Sequence, residues 1–266
     1  MNARPKKSFG QHFLHEKRYI ERIVSAIAPE DGDTLVEIGP GEGALTLPLL
    51  RAAGRLTAIE LDTDLIPALG ERAAAVGELR IVHADVLKVD FAALARELGA
   101  PRLRIAGNLP YYISSPILFH CVEHAAAIQD MHFMLQKEVV DRMAAEPGSK
   151  VYGRLSVMLQ LACRVTPLFD VPPGAFRPPP KVDSSVVRLV PLAPAERHDA
   201  DPQAVHAVVK AAFAQRRKTL SNALRQLLGA EAIRAAGIDP GARAETLSPL
   251  DFVRLAKALP TRPASD

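Results

Sequence analysis

Two cysteines are all that the 266-residue chain has. Cys121 and Cys163 lie far apart with no paired spacing, as expected of reduced thiols in a cytoplasmic protein and not of a disulfide framework. No stretch reaches the ~18 apolar residues of a spanning helix, although 48% of the residues are hydrophobic, so no membrane partner is expected. The first residues, Met1 to Ser8, are basic with no apolar run behind them, so no secretory signal is expected. A large charge excess is missing too: the formal net charge is +3, and only its distribution can mark a partner. Nothing demands an oligomer, so a monomer is expected. The dinucleotide fingerprint G-x-G-x-x-G is also absent in its usual form.

What is present gathers around Ala106-Gly107-Asn108-Leu109-Pro110-Tyr111. Leu103, Ile105 and Ala106 read as the end of a buried strand, from which Gly107 lets the chain leave. Asn108 offers an amide that both accepts and donates. Pro110 fixes its own φ and biases Leu109 towards an extended conformation, holding the Leu109 carbonyl in a set direction. Tyr111 adds a flat face on which a base can stack. Rigid acceptors beside a ring suit the exocyclic amino group of a planar heterocycle. Taken alone, a strand exit with a packed tyrosine explains the stretch equally well.

The preceding segments favour a ligand site. Tyr19 to Ala28 carries Ile20, Ile23, Val24 and Ile27 at helical spacing. Before it, residues 7–14 mix bases, amides and Phe9, Phe13 and Leu14, which suggests a flap over a ligand. Thr34 to Ile38 is a short apolar strand, followed by Gly39-Pro40-Gly41-Glu42-Gly43 and a helix over 44–50. That is the first unit of a doubly wound sheet, with Glu37 giving E-x-G-x-G-x-G. The strand Leu56 to Glu60 ends in an acid about 20 residues on, where a carboxylate takes ribose hydroxyls. Ile81 to Asp85 is a third strand ending in an acid, placed for an adenine amino group. Such sheets bind ligands at the carboxyl ends of their strands.

The second half holds a decoy, a stiff loop and a basic helix. His120-Cys121-Val122-Glu123-His124 matches the H-x-x-E-H pattern of some zinc peptidases, but Cys121 and Val122 suggest a buried face and no third ligand is evident. No metal is expected. Residues 171–185 are proline-rich, holding an extended loop from which Phe176 and Lys181 project. Either it is a rigid connection, or Phe176 closes a sandwich around a base opposite Tyr111. Residues 191–202 read as a linker. From Gln203 to Ala230 there are five bases and no acid. Arg216, Arg217 and Lys218 are adjacent, as expected of a contact to a phosphate backbone.

Glu60, Asp85 and the N-L-P-Y motif, in this order after E-x-G-x-G-x-G, resemble the class I methyltransferases that use S-adenosylmethionine, in their amino-methylating branch. Together with K-S-F-G-Q-H-F-L, P-P-P-K-V-D-S and A-F-x-Q-R-R-K-T, they closely resemble the KsgA family of ribosomal RNA adenine dimethyltransferases. The resemblance implies an α/β fold: a Rossmann-like class I methyltransferase sheet over residues 1–192, then a small all-helical RNA-binding domain over 193–266. It implies dimethylation at N6 of two adjacent adenosines near the 3′ end of 16S rRNA, with the small ribosomal subunit as partner and a role in its biogenesis. It places His12, Leu14, Gly39, Gly41, Glu60, Asp85 and Asn108 at the cofactor, and Asn108 to Tyr111 with Phe176 at the adenine. Arg216, Arg217, Lys218 and Lys181 fall to the RNA. His12 stands where asparagine is common, and so does Tyr112. Methyltransferases of the resistance type, acting on large-subunit RNA, and a non-catalytic assembly factor are the competing readings.

Overall fold

A computed structural model describes residues 12–215 and 217–260. The expected flap before His12 and Arg216 lie outside the described residues. Among the described residues there are nine strands: β1 (Phe13–Leu14), β2 (Leu35–Ile38), β3 (Arg55–Glu60), β4 (Glu78–His83), β5 (Leu103–Asn108), β6 (Ile128–Gln136), β7 (Cys163–Val171), β8 (Phe176–Arg177) and β9 (Ser184–Pro191). Seven form one sheet in the order β4-β3-β2-β5-β6-β9-β7, and β1 pairs with β8 alone. β4, β3, β2, β5 and β6 run parallel to one another, while β9 is antiparallel to β6. From β2 the chain steps outward through β3 and β4, then returns to lay β5 and β6 on the other side. The order therefore reverses between β2 and β5, the place where a doubly wound sheet opens a crevice at its strand ends.

Helices α1 (Lys17–Ile27), α2 (Thr46–Ala53), α3 (Ile66–Ala74), α4 (Phe91–Glu97) and α5 (Ser114–Glu123) accompany the sheet. α1 buries Ile23 and Ile27, the stripe its periodicity marks. It ends at Ala28 in a left-handed conformation, φ 45°. Its last carbonyls are capped from afar: Arg104, on β5, donates to the Ile27 oxygen at 2.6 Å and the Ala28 oxygen at 3.2 Å. The same guanidinium pairs with Asp130 at 2.9 and 3.0 Å and with Asp33 at 2.5 Å. A buried charge is tolerated only when so fully partnered.

The chain divides into two compact units. One holds the described residues up to Val140 with Val165–Pro191; the other holds Asp141–Arg164 with the described residues from Leu192 onward. This corrects the expected split at residue 192 in one respect, since 141–164 groups with the C-terminal helices. Tyr152, Val157 and Leu161 share a buried cluster with Val205, Val208, Leu220 and Phe252, and the Tyr152 hydroxyl donates to the Leu247 carbonyl at 2.8 Å. That second unit contains α7 (Arg154–Gln160), α8 (Pro202–Ala214), α9 (Leu220–Ala223), α10 (Ala230–Ala235) and α11 (Pro249–Lys257), α6 (Lys137–Met143) being the helix that follows β6. Ser248 caps α11, accepting from the Asp251 amide while Asp251 accepts from the Ser248 amide. Both cysteines are buried and neither is in a disulfide. Among the described residues no helix is long and apolar enough to cross a membrane.

Candidate active site

A cleft with about 1080 Å³ of empty space, its open mouth included, lies over the ends of β2, β3 and β5. It is lined by residues 12–14, 37–42, 59–62, 84–86 and 108–113, among others. Glycine makes the crevice possible at two points. Gly107 lies beside β2, and a Cβ there would stand 2.6 Å from the Ile38 carbonyl oxygen, so only glycine permits this strand spacing. Gly41 has φ +56°, and a Cβ on it would meet the Phe13 ring at 3.2 Å. The glycine turn thus sits directly under the β1 segment.

The acids arrive as the sheet dictates. Glu60 ends β3, and its two carboxylate oxygens accept from the Asp62 amide at 2.8 Å and the Gly41 amide at 3.2 Å. These bonds fix the side chain and leave lone pairs that can accept further hydrogen bonds. Asp85 was expected at the end of β4, but β4 stops at His83. Asp85 instead caps the short turn Val86–Lys88, one oxygen accepting from the Leu87 amide at 3.0 Å, and the side chain still reaches the cleft.

Glu37 is the acid that opens the E-x-G-x-G-x-G pattern. It is buried in β2, lines the cleft, and has one carboxylate oxygen without a hydrogen-bond partner among the described residues. Burial pushes its pKa up to about 7; Thr46 acts against the rise and the nearby Glu60 carboxylate adds to it. Because the folded pKa exceeds the unfolded one, the group's stabilising contribution is complete below pH ~4.5 and is lost as pH climbs to about 7. Glu37→Gln should therefore match the native protein in urea unfolding near pH 4.5. It should become more stable by up to about 3 kcal/mol at pH 7.5. A difference that does not vary with pH would contradict this origin.

Asn108 closes β5. Its side-chain amide donates to the His12 carbonyl at 3.1 Å, which leaves the amide oxygen as an acceptor with no partner among the described residues. The Leu109 amide donates to the Met134 carbonyl at 3.2 Å, while its own carbonyl accepts nothing among them. Tyr111 is half-buried: its hydroxyl lies 2.6 Å from the Ser184 hydroxyl, and the His12 ring stacks on it at 5.7 Å and 28°. Burial pushes the Tyr111 phenol up, the bond to Ser184 opposing it, so the ring stays neutral. His12 Nδ1 lies 2.8 Å from the Pro178 carbonyl oxygen. The unexpected histidine thus ties the N-terminal strand to the proline loop and to Tyr111.

The structure brings together His12, Leu14, Gly39, Gly41, Glu60, Asp85, Asn108, Leu109, Pro110 and Tyr111. It does not bring Phe176. That ring is 2% exposed, packed with Leu14, Met134, Val171 and Val186, and absent from the cleft lining. Its pairing with Leu14 across β1 and β8 turns it into the core, which corrects the expected base sandwich. Lys181, Arg217 and Lys218 are exposed and line no part of this cleft. Leu61, Asp62, Val86 and Tyr112 are lining residues that the sequence reading did not single out as site residues. The H-x-x-E-H histidines are otherwise engaged: His120 Nε2 lies 2.8 Å from the Val89 carbonyl and His124 faces Asp90 at 3.6 Å. Among the described residues no group of three side chains could hold a metal ion.

Over residues 2–260 the chain matches the family model described as ribosomal RNA adenine dimethylase. It is 62% identical over 259 residues to the ribosomal RNA small subunit methyltransferase A of Xanthomonas oryzae pv. oryzae (strain PXO99A), covering 97% of this chain and 98% of that one. To the protein of the same name from Xanthomonas axonopodis pv. citri (strain 306) it is 64% identical over 255 residues, 96% of each chain. Among solved structures it is similar to a dimethyladenosine transferase from Plasmodium falciparum, with TM-score 0.78, 25% identity and coverage of 92% and 96%. A second, the 23S rRNA methyltransferase ErmE, gives TM-score 0.72, 26% identity and coverage of 93% and 99%.

Proposed function

The chain belongs to the ribosomal RNA adenine dimethylase family, and from that premise we propose that Asn108 and Leu109 hold the N6 amino group of adenosines in 16S rRNA for dimethylation. The observation that carries this reading is the pair of acceptors, the Asn108 amide oxygen and the Leu109 carbonyl, that have no hydrogen-bond partner among the described residues and belong to the lining of one cleft. The lone pair of the adenine amino nitrogen is delocalised into the ring, so it is a poor nucleophile. Two acceptors that grip its N–H groups favour a pyramidal nitrogen and align it, which is catalysis by positioning and electrostatics. After one methylation a single N–H remains, so one acceptor suffices for the second round.

The cleft fits S-adenosylmethionine, which supplies an electrophilic methyl group on a sulfonium when bound. Glu60 suits the ribose hydroxyls, Asp85 the adenine amino group, and the close-lying Gly39 and Gly41 backbone lets a ligand approach. Glu37, with one oxygen unpartnered among the described residues and buried in the same cleft, offers a carboxyl group whose ionised form a cationic ligand end would favour. Tyr111 offers its ring to a base turned out of its strand.

The small subunit is favoured as partner because the relatives with 62% and 64% identity carry that name over nearly their full length, whereas the likeness to the large-subunit enzyme is 26%. The two adjacent adenosines near the 3′ end of 16S rRNA are the proposed targets. Nucleosides from 16S rRNA treated with this protein should contain N6,N6-dimethyladenosine at those two positions. Methylation at a ring nitrogen or at a ribose hydroxyl would contradict the role given to Asn108 and Leu109.

Arg217 and Lys218, exposed just after α8, together with Lys181 are proposed phosphate contacts. Neutralising Arg217 and Lys218 to glutamine should reduce the log–log salt slope of RNA binding by about 1.5, since each phosphate contact contributes ~0.7–0.9. An unchanged slope would remove them from the interface.

A further inference from the structure

Tyr112 is a large aromatic residue left exposed at the cleft, 56% accessible, next in the chain to Tyr111. Its hydroxyl makes no hydrogen bond among the described residues. Tyr111–Ile113 is a single 3₁₀ turn, in which neighbouring side chains diverge by about a third of a turn. Tyr111 therefore turns in, to Ser184 and His12, while Tyr112 turns out. The turn itself is fixed at both ends: the Ile113 amide donates to the Pro110 carbonyl at 3.2 Å, and the Ser114 hydroxyl donates to the Tyr111 carbonyl at 3.1 Å. An exposed ring on a rigid backbone loses little freedom on binding. Leu61, also exposed and also lining the cleft, differs in place because it adjoins Glu60 on the cofactor side. Tyr112 adjoins the acceptors that face the target.

An adenosine turned out of its strand remains joined through phosphodiesters to a nucleotide on each side, and these must lie at the rim of the cleft that takes it. Every base has a π-face, and an exposed aromatic ring at the rim is a stacking platform for it. Resting on the proposed function, we propose that Tyr112 stacks on the base of a nucleotide flanking the methylated adenosine and so sets how the RNA is presented. Its neighbour Tyr111 serves the target base itself.

The test compares native protein, Tyr112→Phe and Tyr112→Ala on small subunits reconstituted around 16S rRNA. In two further acceptors, the base on one or the other side of the target adenosine is removed. With intact RNA, Tyr112→Ala should raise KM for the subunit about ten-fold with little change in kcat. Tyr112→Phe should stay close to native. The native-to-alanine ratio should fall to near one on one of the two acceptors lacking a flanking base. The dissociation constant for S-adenosylmethionine, measured by calorimetry, should not change. A ratio that persists on both abasic acceptors would overturn the flanking contact and move Tyr112 to the target base. No effect of Tyr112→Ala, or a weakened cofactor, would overturn it as well. No transfer by the native protein to intact subunits would instead remove the proposed function beneath it.

Discussion

Asn108→Ala is expected to lower methyl transfer by about 100- to 1000-fold, the loss typical of deleting one preorganised polar contact to a reacting group. RNA binding should be retained, because the exposed bases proposed for it lie elsewhere in the sequence. The argument rests on the two ends of one side chain. Its nitrogen is spent on the His12 carbonyl at 3.1 Å, so the oxygen is oriented towards the cleft before any substrate arrives. Alanine removes both, and two further variants separate them. Asn108→Asp keeps an acceptor but loses the donor to His12, and should retain more activity than alanine. Asn108→Leu fills the volume without an acceptor and should be as inactive as alanine. Single-turnover rates with saturating subunits measure all three. Full activity of the alanine variant would place the acceptor elsewhere, and a collapse of RNA binding would assign Asn108 a structural role.

Arg104→Ala should destabilise the sheet unit by about 3–5 kcal/mol, the usual cost of breaking a buried ion pair from one side. Asp130 is 2% exposed and would keep only Arg188, at 3.4 Å and itself half-exposed. The last carbonyls of α1 would lose their side-chain donor, and Asp33 would keep only the Glu30 amide. His132 sits in the same cluster, its pKa held down by burial to about 4, with Asp130 acting in the opposite sense. A lower urea midpoint with an unchanged slope is the expected result. Adding Asp130→Asn to Arg104→Ala should restore part of the loss, since the uncompensated charge disappears. A change below about 1 kcal/mol would show that water satisfies the cluster.

The strands β2, β3 and β5 were legible because each is a short apolar run ended by glycine or a polar residue. Their shared edge followed from the doubly wound pattern. Arg104 was not legible. Between Leu103 and Ile105 it reads as the outward residue of an alternating strand, and its partners Asp33 and Asp130 come near only through sheet pairing. Asp85 was found but misplaced, because its capping bond to Leu87 ends the strand earlier than apolar periodicity suggests. Phe176 failed for a different reason. Prolines announce a stiff segment, but the direction of its ring depends on pairing with Leu14, more than 160 residues earlier. Residues 141–164 likewise show apolar helical faces without naming the surface that buries them. The sequence motifs therefore marked residues that line one cleft, while long-range pairing decided which side chains enter it.

Methyl transfer from radiolabelled S-adenosylmethionine to small subunits taken from cells lacking this protein tests the central claim most directly. Large subunits and small subunits that already carry the modification serve as parallel acceptors. Label recovered in dimethyladenosine of 16S rRNA, from the unmodified small subunits alone, is the expected result. Label in large-subunit RNA, or none in any acceptor while immature small subunits are still bound, would contradict it.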